Sequence, residues 1–189
     1  MSDFQKNNII WLASYPKSGN TWVRVALSLA IKGKLDINKI QIDSFNDKMK
    51  LFVPNNVVLK NPGHIKKYWK RGQHHLASKV KKGNYLALKT HNVCGKFDKF
   101  FFPNNEYTKS VVYIIRDPRD VAISYANHFG MTLENSIKSL LNETNFLFTE
   151  KKFYRTEMIS SWDNHVKSWT SSNFLTLIIR YEDLLSDPK

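Results

Sequence analysis

One stretch near the amino terminus constrains the fold more than any other part of the chain. The apolar run Ile9–Ser14 has the length and composition of a buried β-strand. After a short turn, the apolar residues of segment 21–32 are spaced as in a buried helix, which Gly33 would end. A strand, a tight turn and a helix are therefore predicted in direct succession.

The turn itself, residues 15–20, contains the parts of an anion site. The first residues of a helix offer unpaired backbone N–H groups and the positive end of the helix dipole. Gly19 permits close approach of the backbone to a ligand. Lys17 contributes a cation, and Ser18 and Thr21 contribute hydroxyl groups. Together these residues predict a phosphate cradle.

Strands and helices alternate along the rest of the chain. Further strands are predicted at 85–91, 110–116 and 174–181, with helices at 65–82, 121–129, 132–141 and 158–169 and a loop at 92–109. Apolar strands that alternate with helices imply a parallel sheet covered on both faces. The predicted fold class is therefore α/β, a P-loop-like three-layer α/β/α arrangement with a central parallel sheet. No linker divides residues 1–189, so a single domain is expected.

Charge narrows the class of ligand. The 189 residues carry a formal net charge of +13, which favours anionic partners. Only six of the basic residues are arginines, the residue type that usually reads bases and phosphates through paired hydrogen bonds. An anionic ligand is expected, but no specific nucleic acid.

Several signals point to a protein of a reducing compartment. No apolar run approaches the length of a membrane span, and the first residues lack the pattern of a signal peptide. Cys94 is the single cysteine, which excludes an internal disulfide. A cytoplasmic location without a membrane span is the expectation.

The turn departs from the standard triphosphate-binding loop, G-x-x-x-x-G-K-[ST]. Asn20 follows Gly19 where that pattern has lysine, and Lys17 lies two residues before the glycine. A P-loop nucleotide kinase or NTPase nevertheless stays open as an alternative. The segment Val111–Asp117 has the form of a strand that ends in a magnesium-binding aspartate.

The full string Tyr15-Pro-Lys-Ser-Gly-Asn-Thr-Trp22 resembles the loop by which sulfotransferases bind the 5′-phosphosulfate of 3′-phosphoadenosine 5′-phosphosulfate (PAPS). Three further segments resemble the same family in the same order. They are Lys89-Thr90-His91, Arg116–Tyr125 and Arg180-Tyr181-Glu182-Asp183. The sequence is thus similar to cytosolic-type sulfotransferases from residue 9 to its end.

The resemblance implies a role for each matching residue. His91 would act as general base, for which an imidazole with a pKa near neutrality is suited. Lys17 and Lys89 would stabilise charge on the transferring group. Arg116 and Ser124 would bind the 3′-phosphate of the donor. The other implied donor-binding residues are Lys17, Ser18, Gly19, Asn20, Thr21, Trp22 as the base-stacking residue, and Tyr181 near the adenine.

By the same resemblance the reaction is transfer of a sulfuryl group from PAPS to a hydroxyl or amine of a small-molecule or glycan acceptor. No metal is required, and the sequence has no cluster with metal-ligand spacing. The regions that usually shape the acceptor pocket, 33–84 and 92–109, resemble the family only slightly. The acceptor therefore stays open.

The end of the sequence departs from the family pattern. The residues stop at Lys189, shortly after the Tyr-Glu-Asp segment, and the family's later Arg-Lys-Gly loop has no counterpart. The expectation is a short form or fragment of the family's domain. Loss of the closing helices would expose apolar surface, which predicts self-association into a homo-oligomer.

A second alternative is a non-catalytic module that binds polyanions. Eight basic residues between positions 60 and 82 form a stretch that could contact nucleic acid or a sulfated glycan, although a solvated helix face is the more ordinary explanation. They are Lys60, Lys66, Lys67, Lys70, Arg71, Lys79, Lys81 and Lys82.

Overall fold

A computed structural model describes residues 6–32, 42–54, 62–147 and 155–187 of the chain. Its central sheet is parallel and consists of five strands. From one edge to the other they are β2 (Asp43–Ser44), β3 (Leu86–Thr90), β1 (Ile9–Ser14), β6 (Thr108–Ile115) and β9 (Thr176–Arg180).

Helices and two short antiparallel strand pairs surround the sheet. The strand pairs are β4 (Gly95–Phe97) with β5 (Phe100–Phe102), and β7 (Phe146–Leu147) with β8 (Glu157–Met158). The α-helices are α1 (Asn20–Lys32), α2 (Phe45–Lys48), α3 (Trp69–Ser78), α4 (Pro118–Phe129), α5 (Leu133–Leu141), α6 (Trp162–Thr170) and α7 (Tyr181–Ser186). Residues Met49–Leu51 and Pro62–Tyr68 form 3₁₀ helices. The α/β prediction with a central parallel sheet is confirmed.

The middle strand, β1, is the centre of the core. The Trp11 ring lies 5.3 Å from that of Phe45 and 5.1 Å from that of Phe102, centroid to centroid. Its Nε1–H donates to Thr108 Oγ1 at 3.1 Å, so the buried indole is not left without a partner. This packing holds β1 between β3 and β6 and places the turn after β1 with little freedom.

The start of α4 follows directly from its sequence. Asp117 is the N-cap, and its side chain accepts a hydrogen bond from the Arg119 N–H at 2.9 Å. Pro118 occupies the first turn, where its missing N–H costs nothing. Gly130 ends the helix with φ 63°. The predicted helix is therefore present and begins three residues earlier than expected.

Other sequence-based boundaries were also wrong. The helix predicted from Met158 starts only at Trp162, because the Met158 N–H donates to Asn92 Oδ1 at 2.9 Å and its carbonyl accepts from the Val93 N–H at 2.7 Å. The helix predicted to reach Lys82 ends at Ser78. The predicted loop 92–109 contains the β4–β5 hairpin and the first residues of β6. Gly33, the expected end of α1, lies outside the described residues.

Within the described ranges, none of the helices is long and apolar enough to cross a membrane.

Candidate functional site

The carboxyl ends of three adjacent strands bring the motif residues to one edge of the sheet. In the parallel register Ala13 of β1 lies beside Thr90 of β3, and Ser14 lies beside Ile114 of β6. The turn after β1, His91 after β3 and Arg116 after β6 therefore meet at the edge where parallel α/β proteins bind ligands.

The turn after β1 adopts a conformation that constrains its residues. Lys17 and Gly19 both have positive φ, at 69° and 93°. A Cβ atom on Gly19 would lie 2.2 Å from a ring carbon of Tyr181, so no other residue fits without displacing that ring. Glycine is thus required here both for the backbone conformation and for close packing.

Near the start of α1, two neighbouring residues each have a buried side-chain oxygen without a hydrogen-bond partner among the described residues. They are Ser18 Oγ and Asn20 Oδ1. The other side of the Asn20 amide is anchored, since its Nδ2 donates to the Leu12 carbonyl at 3.3 Å and to Ser14 Oγ at 3.2 Å. Buried polar atoms normally have partners, so this edge offers unused hydrogen-bonding capacity to a ligand.

His91 is held in a defined protonation pattern. Its Nδ1 lies 2.7 Å from the backbone carbonyl oxygen of Ser14. A carbonyl can only accept, so Nδ1 carries the proton and Nε2 keeps its lone pair. Burial, followed by the nearby Lys89 ammonium, lowers the pKa of His91 well below its ordinary value. The imidazole is therefore neutral at physiological pH and can accept a proton at Nε2.

The backbone of His91 is also held. Its carbonyl accepts a hydrogen bond from His165 Nε2 at 3.1 Å, and Tyr113 Oη lies 2.8 Å from the other ring nitrogen of His165. Burial lowers the pKa of His165 to about 3, so this second histidine is neutral and serves as a buried hydrogen-bonding bridge.

Arg116 joins the turn to the last described helix. Its Nη1 donates to the Lys17 carbonyl at 3.1 Å, and its guanidinium lies 4.5 Å from the centroid of the Tyr181 ring. Stacking of this kind is favourable, and Arg116 Nη2 also lies 3.9 Å from Asp120 Oδ2. Arg116 Nε is buried without a partner among the described residues.

A cleft of about 380 Å³ opens between the turn, α1 and α4. It is lined by eight of the residues that the motifs singled out, namely Lys17, Gly19, Asn20, Thr21, Trp22, His91, Arg116 and Ser124. Trp22 is 38% exposed, so its indole face is available for stacking. Residues from three separate motifs thus border one cavity.

Three predicted site residues lie elsewhere. Ser18 is buried beneath the turn. Tyr181 packs behind Gly19 and beneath Arg116 and does not line the cleft. Lys89 is turned to a buried carboxylate, with its Nζ 3.2 Å from Glu157 Oε2.

Four residues of the cleft were not predicted, namely Pro16, His128, Phe129 and Leu147. His128 stands one helical turn after Ser124 on α4, so helical spacing could have revealed it. Leu147 reaches the cleft through the β7–β8 strand pair, for which the sequence carries no comparable signal. Within the described part of the chain, no cluster of three or more His, Cys, Asp or Glu side chains could hold a metal ion.

Comparison with known families and structures finds related proteins. A family model described as "Sulfotransferase domain" matches residues 7–189. The fold resembles that of a crystal structure of retinol dehydratase in complex with androsterone and inactive cofactor PAP. The TM-score is 0.55 and the identity 21%, with 95% of this chain and 56% of the other covered.

Two characterised relatives illustrate the range of the similarity. Sulfotransferase 1B1 of Canis lupus familiaris is 29% identical, with 95% of this chain and 55% of the relative covered. Flavonol 4'-sulfotransferase of Flaveria chlorifolia is 27% identical, with 95% of this chain and 51% of the relative covered. The chain therefore spans about half the length of the relatives it matches.

Proposed function

Since the chain belongs to the sulfotransferase domain family, we propose that it binds PAPS and transfers its sulfuryl group to a hydroxyl or amine acceptor. One observation carries the proposal. His91, with its Nε2 lone pair free, borders the same cleft as an anion-binding turn at the start of a helix. A base beside a phosphate site is the arrangement that proton abstraction during group transfer requires.

The unpaired groups at this edge suit the donor. The first backbone N–H groups of α1 would hold the 5′-phosphate, with Lys17 as the neutralising cation and Ser18, whose hydroxyl is buried, as a supporting residue of the turn. Arg116, whose Nε is also unpaired, and Ser124 would hold the 3′-phosphate. Trp22 would stack on the adenine. Tyr181 would support Arg116 from below.

The chemistry proposed for this chain's residues is in-line transfer. As the acceptor oxygen or nitrogen bonds to sulfur, His91 Nε2 takes its proton, and the bond from sulfur to the 5′-phosphate oxygen breaks. Lys17 stabilises the charge that develops on the leaving phosphate, a preorganised electrostatic effect. Lys89 is proposed as a second cation, although only Lys17 of the two borders the cleft.

A small molecule with a hydroxyl on an apolar body is the acceptor class we propose. Phe129, Leu147 and Pro16 give the cleft an apolar wall, and one relative is named for a flavonol. A glycan acceptor is the broader proposal. Cytoplasmic location and self-association are proposed with it, the latter because Leu177 and Ile178 of β9 are exposed.

The triphosphate alternative has less support. Asp117, the candidate magnesium ligand, caps α4 and pairs with the Arg119 guanidinium, whose Nε lies 3.0 Å from its Oδ1. Magnesium-dependent ATP hydrolysis would favour this alternative. Binding of adenosine 3′,5′-bisphosphate without magnesium would exclude it.

The test of the proposed function separates binding from chemistry. Thermal shift with adenosine 3′,5′-bisphosphate should show stabilisation of the wild-type chain and of His91→Ala, while transfer from labelled PAPS is lost in His91→Ala alone. Lys17→Ala should weaken both. Unchanged turnover in His91→Ala would remove the base assignment, and steeply salt-dependent heparin binding in place of nucleotide binding would favour the polyanion module.

A further inference from the structure

A buried carboxylate lies directly behind His91, and neither the motifs nor the cleft lining include it. Glu157, on β8, is 5% exposed. Its Oε1 accepts a hydrogen bond from the His91 backbone N–H at 2.7 Å. Its two oxygens also lie 3.3 and 3.2 Å from Lys89 Nζ. One carboxylate therefore contacts both titratable residues of the Lys-Thr-His segment, Lys89 and His91.

Stability alone does not account for this arrangement. Removing two charges from water costs about as much as their attraction returns, so a buried ion pair is often no more stable than an apolar pair of the same volume. The Lys89 and Glu157 side chains are only 12% and 6% exposed. The burial of this pair therefore points to a role other than stability.

Glu157 completes a set of three contacts that immobilise His91. The Ser14 carbonyl holds ring atom Nδ1, His165 holds the backbone carbonyl, and Glu157 holds the backbone N–H. These partners come from β1, α6 and β8, so the ring and the backbone of His91 are together held by three separate elements. Of the three contacts, only the one from Glu157 also brings a charge.

We propose that Glu157 is a positioning residue for sulfuryl transfer: it fixes the His91 backbone and neutralises the Lys89 ammonium beside the imidazole. The inference rests on the proposed function of His91. Its physical consequence is that Lys89, freed of its counter-ion, would repel a proton arriving at His91 and weaken it as a base. The titratable groups around the imidazole are Lys17, Arg24, Lys89, Glu157 and His165.

Glu157→Gln separates the two roles, because the amide oxygen still accepts from the His91 N–H whereas the negative charge is lost. We expect kcat to fall up to about 10-fold, because the Lys89 ammonium, left without its counter-ion, weakens His91 as a base. The acid limb of the kcat/KM pH profile should move about one unit lower. The affinity for adenosine 3′,5′-bisphosphate should stay within about twofold of wild type, because Glu157 does not line the cleft.

Glu134→Gln is the matched control, since Glu134 forms an exposed pair with Lys138. Should Glu157→Gln not fold, Lys89→Met with Glu157→Gln leaves no unpaired buried charge, and its acid limb should return toward that of wild type. A plateau kcat and acid limb equal to those of Glu134→Gln would overturn the proposal, and so would a double variant with the acid limb still displaced.

A readout that needs no turnover keeps the two proposals distinguishable. In protein labelled with ¹⁵N-histidine, the ring nitrogens of His91 should report a proton on Nδ1, and Glu157→Gln should shift these signals while those of exposed His128 stay in place. Unchanged His91 signals would overturn the role of Glu157. If wild type neither binds the nucleotide nor transfers sulfate while the shift is seen, the proposed function fails and the placement of His91 by Glu157 stands.

Discussion

Strands β1 and β9 have similar apolar sequences and opposite environments. Leu12 of β1 is 2% exposed, whereas Leu177 of β9 is 60% exposed. The reason is position: β1 pairs with β3 and β6, while β9 pairs with β6 and forms an edge of the described sheet. An apolar run thus predicts a strand, but the neighbours of that strand decide whether its side chains are covered.

The same difference in burial distinguishes the two sides of the candidate site, one formed by β1, β3 and β6 and the other by the residues after β9. Most of the cleft is built from the covered half of the sheet, where β1, β3 and β6 end. The β9 side meets the site through the residues that follow it: Tyr181 packs on Gly19 and Arg116, and Glu182 accepts from the Asp117 N–H at 2.9 Å. The site therefore depends on β9 for support more than for ligand contacts.

The same leucine-to-alanine substitution in both strands gives the most direct test of the difference between β1 and β9. Leu12→Ala should lower the free energy of unfolding by about 2–5 kcal/mol, because it opens a cavity in the core. Leu177→Ala should change it by less than about 0.5 kcal/mol at dilutions where the chain is monomeric. Urea unfolding measures both. A large loss in Leu177→Ala would mean that β9 is covered in solution.

Gly19→Ala tests the contact between the turn after β1 and Tyr181, which follows β9. The added methyl group would overlap the Tyr181 ring and also force a positive φ on alanine, at a combined cost of about 2–4 kcal/mol. Thermal denaturation and nucleotide affinity should both decline. Gly130→Ala is the control, because Gly130 has φ 63° but open space around it. Equal losses in the two variants would show that the contact with Tyr181 is unimportant.

The buried side chain of His165 predicts that the stability of the folded chain depends on pH. Because the pKa of His165 is about 3 in the folded chain and about 6.5 when unfolded, the unfolded chain binds more protons between these values. Stability should therefore fall by up to about 1.4 kcal/mol per pH unit as the pH drops below about 6.5.

Urea unfolding from pH 7.5 to 5 measures this slope. His165→Gln should remove the part of the slope that corresponds to about one bound proton. The part due to His91, whose pKa is also lowered, should persist. His128→Gln, a change on the exposed face of α4, should leave the slope as in wild type. An unaltered slope in His165→Gln would contradict the prediction.

The smallest effect on stability is expected from a charge on the exposed strand. Leu177→Lys should change the free energy of unfolding by less than about 0.5 kcal/mol, yet reduce self-association, because a charged edge strand resists pairing with another chain. Light scattering over a range of concentrations measures the assembly state. A monomeric wild-type chain, or unchanged association in the variant, would contradict the proposed homo-oligomer.

Much of the site could be predicted because its motifs are local. The turn before α1 is built from consecutive residues, and His91 and Arg116 are each the last residue of a predicted strand and directly follow the observed one. Parallel strands end at the same edge, so their ends could be placed together without coordinates. The orientation of Lys89 could not be predicted, because it depends on Glu157, 68 residues away in sequence.

By itself, the sequence determined the order of four of the five sheet strands and of the longer helices, the anion-binding turn and the family, because periodicity and short motifs depend on near neighbours along the chain. Only the tertiary structure decided that Glu157 lies behind His91, that Tyr181 supports Gly19 and Arg116, and that β9 is exposed while β1 is buried. The reason is physical. Burial and side-chain contacts depend on which distant segments pack together, and the pattern within one segment does not specify its neighbours.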